Sequence, residues 1–128
     1  MQGTINDIIA IGNCISEFKN TPYIVRLKID LSAEDIINSI NDTFAEAKGQ
    51  DINLLYFAGH GYNSNQKSEK GSLLGNDGIE YVTAKQLKEA LDSIKGFKVI
   101  IIDACYGGDF LNAYLDLLLR QLNIHNKS

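Results

Sequence analysis

Two cysteines, Cys14 and Cys105, are all that the 128 residues contain, too few for a disulfide framework. No basic segment followed by an apolar one opens the chain, so export is not indicated and a reducing, cytoplasmic setting is expected. No apolar run approaches the roughly 20 residues that a bilayer span requires, which argues against a membrane protein. Positive charge is in short supply: 12 Lys and Arg against 16 Asp and Glu leave a net charge of -4. An acidic surface attracts neither nucleic acid nor an anionic membrane, so neither is expected as a partner. The glycine-bearing loops fit neither the phosphate-loop nor the dinucleotide-binding pattern, which sets a nucleotide-binding domain aside. Internal repeats and low-complexity linkers are also missing. The remaining balance, 45% hydrophobic and 22% charged, suits a single domain over residues 1–128 with a moderate core.

Hydrophobic spacing orders the chain. Residues 4–18 place Ile5, Ile8, Ile9, Cys14, Ile15 and Phe18 on one helical face, which makes Cys14 a core residue. Residues 23–29 read as a β-strand, with Pro22 at its start where no ladder donor is lost. Ser32 caps a second helix whose stripe is Ile36, Ile37, Ile40, Phe44 and Ala47. A strand over residues 52–58 follows. Residues 59–80 are dense in Gly, Asn and Ser and predict a long loop, mobile over residues 62–80, of the kind that tends to be functional. Thr83 and Gln86 form a capping box for a third helix with Leu87, Leu91 and Ile94 inward. A last helix is expected over residues 110–122, capped by Asp109. Helices alternating with strands imply an α/β fold: a mostly parallel sheet with helices on both faces.

The stretch that the rest serves is residues 98–108, KVIIIDACYGG. Its β-branched run predicts a strand buried on both faces, ending on Asp103 and Cys105. Upstream, INLLYFAGHG over residues 52–61 repeats the pattern and ends on His60 between two glycines. Parallel strands end on one side of a sheet, the side where open α/β sheets place their chemistry. A lone Cys or His is more often a core or loop residue. The two together at neighbouring strand ends suit a thiolate nucleophile with an imidazole as proton donor and acceptor. The backbone N–H groups of Gly61 and Cys105 are candidates for an oxyanion hole. Tyr106 either shields the thiol or packs. Glu69, Asp77 and Glu80 do not form a calcium loop, and no metal or cofactor is expected. His125 reads as a solvated tail residue.

YFAGHG followed by IIIDACYGG resembles the caspase-like cysteine peptidases, most closely the metacaspase and bacterial caspase-like branch, with clostripain and legumain more distant. GTINDIIAIGNCI resembles the first helix of that family. The resemblance implies a caspase-like three-layer sandwich, Cys105 as nucleophile and His60 as general base and acid. Metacaspases and clostripain-like enzymes resemble this chain in having an acid two residues before the Cys, and they cut after Arg or Lys. Asp103 is therefore the expected substrate-binding carboxylate, and alternation along the strand puts it on the side of Cys105. The family also has a strand before the first helix and more strands after the cysteine. The chain accordingly resembles an incomplete, large-subunit portion of such a peptidase: a fragment, a chain whose further strands a second polypeptide supplies, or a reduced relative. Two functions follow: an endopeptidase acting on peptides or proteins after Arg or Lys, or a catalytically inactive module that binds a partner.

Overall fold

A computed structural model describes residues 26–126. The helix read over residues 4–18, and Cys14 with it, lie outside them. Of the strand read over residues 23–29, the described part, residues 26–29, is not in a strand. Leu27 and Ile29 are exposed, and no described strand pairs with this segment. β-Branched residues do not hold a strand without a neighbour to bond.

Ser32 begins α1 (Ala33–Thr43) by accepting a hydrogen bond from the Asp35 N–H at 3.1 Å, relieving one of the unpaired donors of the first turn. Ala33, Ile36 and Ile40 are buried, and Ile37, Phe44 and Ala47 pack against them. Thr83 starts α2 (Ala84–Asp92) with the full reciprocal box, Gln86 N–H to Thr83 Oγ1 and Thr83 N–H to Gln86 Oε1. Leu87 and Leu91 are the buried positions of its stripe, and Ile94 is buried just past its end.

β1 (Ile52–Gly59) and β5 (Phe97–Ala104) pair in parallel along their whole length, from Ile52 opposite Phe97 to Gly59 opposite Ala104. The intervening segment, ending in α2, is the crossover that parallel pairing requires. Leu55, Phe57, Ile100 and Ile102 of one sheet face join the core formed by α1, α2 and α3 (Gly107–Asn126). The protein is thus an α/β domain with a parallel sheet, and its described helices share one hydrophobic core. The central strand is not buried on both faces: Phe97, Val99 and Ile101 alternate outward and are exposed. Among the described residues nothing covers that outer face, so β5 has the burial alternation of a one-sided strand.

Residues 59–80 depart furthest from expectation. They hold β2 (Gly61–Tyr62), a short 3₁₀ turn at Lys67–Glu69, and β3 (Ser72–Leu74); β3 pairs with β2 on one side and with β4 (Tyr81–Val82) on the other in a small antiparallel sheet. Ser72 is fully buried and Leu73 is 1% exposed. The Leu73–Leu74 pair anchors what looked like open loop, and Tyr62 stacks on Tyr81 with centroids 4.7 Å apart. The Asn76 N–H and side-chain Nδ2 bond back to the Leu31 and Asp30 carbonyls, tying the segment to the start of α1.

The last helix starts at Gly107, earlier than a cap at Asp109 would allow. Asp109 sits inside the first turn instead, where its charge still complements the helix dipole. Phe110, its anchor, is fully buried. His125 falls in the last turn of α3 and is not a tail residue. Lys88 of α2, only 8% exposed, donates to Asp92 at 2.6 Å and to Gln121 of α3 at 2.7 Å. A cation that deep needs such partners, and these bolt α2 to α3.

Candidate active site

β1 and β5 stop in register at Gly59 and Ala104, so His60 and Cys105 are the next residues of two strands about 4.8 Å apart. Both are exposed, and Cys105 is a free thiol. The backbones beyond the strand ends also touch. A Cβ on Gly61 would collide with the carbonyl oxygen of Cys105, so only glycine lets the chain after His60 lie against the cysteine.

The turn after Cys105 is strained. Tyr106 has φ of 62°, the left-handed region that a bulky side chain seldom enters. One residue in this conformation turns the chain from strand into helix: α3 starts at Gly107, and the Phe110 N–H bonds the Tyr106 carbonyl at 3.1 Å. This sharp strand–turn–helix leaves Cys105 exposed at the sheet edge, two residues before the helix N-terminus. Gly71, at φ of 81°, braces the turn: any Cβ there would strike the Tyr106 carbonyl. Lys70 sets its ammonium 5.6 Å from the Tyr106 ring centroid, within cation–π range. Tyr106 therefore serves as the hinge of the turn, a role that side-chain chemistry alone did not suggest.

Asp103 is exposed on the outer face of β5, opposite Ala58. The Tyr56 hydroxyl donates to its Oδ2 at 3.1 Å. Tyr56 is a residue that reading the sequence passed over. Counting back from His60 and Cys105 as opposed residues would have found it, because it sits diagonally from Asp103 on the same face.

A groove lies elsewhere. Of about 850 Å³, it runs between α1, β4 and α2, past Ile37, Tyr81 and Gln86, and includes none of His60, Cys105 or Asp103. At its rim the Tyr81 hydroxyl donates to Glu69 at 3.1 Å, and that carboxylate raises the Tyr81 pKa above its ordinary value. Among the described residues, no group of three His, Cys, Asp or Glu side chains could hold a metal ion. None of the described helices is long and apolar enough to cross a membrane.

In this α/β domain, adjacent parallel strands are followed directly by a histidine and a cysteine, and a glycine lets one backbone lie against the other there. Residues 1–125 match the caspase domain of peptidase family C14, and the chain belongs to that family. No curated protein and no solved structure matches it.

Proposed function

We propose that the protein is a cysteine endopeptidase that cleaves peptide bonds after Arg or Lys, with Cys105 as nucleophile and His60 as its proton carrier. The observation that carries this reading is the in-register ending of β1 and β5, which makes His60 and Cys105 neighbours across the sheet edge. His60 takes the thiol proton as the sulfur attacks the scissile carbonyl, then gives it to the departing amine. Water later hydrolyses the thioester and restores the thiol. The Gly61 and Cys105 N–H groups receive the developing oxyanion. The Asp103 carboxylate, standing proud of the outer face, suits a guanidinium or ammonium of the substrate.

The test is labelling and turnover with arginyl peptides. An arginyl chloromethyl ketone should alkylate Cys105, and Cys105→Ala should abolish cleavage. His60→Ala should slow it by about 10²–10⁴-fold, the usual worth of a positioned acid–base group. Asp103→Asn should reduce cleavage of basic substrates while leaving Cys105 reactive to a small neutral alkylating agent. Failure of the ketone to label Cys105 would remove the peptidase reading.

A second reading has an observation in its favour: Cys105 is exposed, and the groove between α1, β4 and α2 does not include it. A catalytically inactive caspase-like module that binds a partner, or one whose pocket a second chain completes, fits that open edge. Turnover that appears only on adding a partner protein would support it.

A further inference from the structure

We propose that Tyr56 is a positioning residue for basic substrates, holding the Asp103 carboxylate so that one oxygen faces an incoming guanidinium or ammonium. The inference rests on the assignment of Asp103 to the substrate pocket and extends it to a residue on the neighbouring strand. Three observations carry it. The register sets Ala58 opposite Asp103 and Tyr56 opposite Ile101, so Tyr56, Ala58 and Asp103 share one sheet face. The Tyr56 hydroxyl donates to Asp103 Oδ2 at 3.1 Å, and no other described residue has a hydrogen bond to that carboxylate. The residue between, Ala58, is small, leaving space over the strand pair beside the acid.

A carboxylate at the end of an exposed strand turns freely about its last bond. A phenol engaging one oxygen fixes the plane of the group and leaves the second oxygen for the ligand. A guanidinium approaching over Ala58 meets an acceptor already oriented, so less freedom is lost on binding. Tyr56 is an apt donor because it is a strand residue with two side-chain torsions and a ring half-buried against the sheet.

The experiment separates this from turnover. Binding of argininamide to the full chain carrying Cys105→Ala is followed by NMR titration, with citrullinamide as the uncharged control, in four backgrounds: Tyr56 and Asp103 intact, Tyr56→Phe, Asp103→Asn, and both changes. Tyr56→Phe should weaken argininamide roughly three- to tenfold, the worth of one ordinary hydrogen bond, and leave citrullinamide unaffected. With Asp103→Asn already present, Tyr56→Phe should have no further effect, because there is no carboxylate left to orient. Argininamide binding unchanged by Tyr56→Phe would overturn the proposal. So would an equal loss with and without the Asp103 charge, which would mark a merely structural role, or no argininamide binding with both residues intact. A peptidase reading that failed at Cys105 labelling would leave these outcomes unchanged, so the two failures are distinguishable.

Discussion

A methyl group on Gly61 has nowhere to go, since the atom it meets is the Cys105 carbonyl oxygen and not the end of a flexible side chain. Gly61→Ala should therefore destabilise the domain by about 1–3 kcal/mol and push the segments after His60 and Cys105 apart. A lower urea midpoint with slower alkylation of Cys105 is the expected pair of results; unchanged alkylation would mean the close approach has no bearing on the thiol. Tyr106 shows the same principle from the other side. Its left-handed φ is tolerated because the turn is braced by Gly71 and by the first bond of α3.

At the scale of elements, the turn joining β3 to β4 is held by Asp77, whose Oδ1 accepts from the Ile79 and Glu80 N–H groups at 2.9 and 3.0 Å. These bonds lower its pKa from the ordinary 3.8. A carboxylate depressed in the folded state stabilises the protein above its unfolded pKa, and that contribution is lost as pH falls through the depressed value. Asp77→Asn should consequently lower the urea midpoint near neutral pH, and the gap from the parent should shrink as pH falls below 3.8. A gap that persists at low pH would mean the bonds do not depend on the charge. The caps of α1 and α2 were legible in the sequence because a cap is made within four residues. The small sheet of residues 61–82 was not, because two of its strands have only two residues each and carry no periodicity to read. Leu73 was the one visible trace, an apolar pair in a polar stretch.

For the whole molecule, the two faces of the parallel sheet make opposite demands. Phe110 is fully buried in the shared core, and Phe97 on the outer face is 67% exposed. Phe110→Ala should cost about 3–5 kcal/mol and Phe97→Ala under about 1 kcal/mol, measured by urea unfolding of the full chain. A large loss at Phe97 would reveal that the outer face is covered. By itself the sequence determined the order of α1, β1, α2, β5 and α3, the caps of α1 and α2, and the placing of His60 and Cys105 just past two strands, because periodicity, caps and the equivalence of parallel strand ends are local or topological properties. It also carried the resemblance to the caspase-like peptidases, which the family match over residues 1–125 bears out at the level of the family. Register, the left-handed turn at Tyr106 and the bond from Tyr56 to Asp103 were decided only in three dimensions. So was the exposure of one face of β5. The register and the Tyr56 bond depend on which residues lie opposite one another more than forty positions apart, and spacing along a single strand does not specify its partner's alignment.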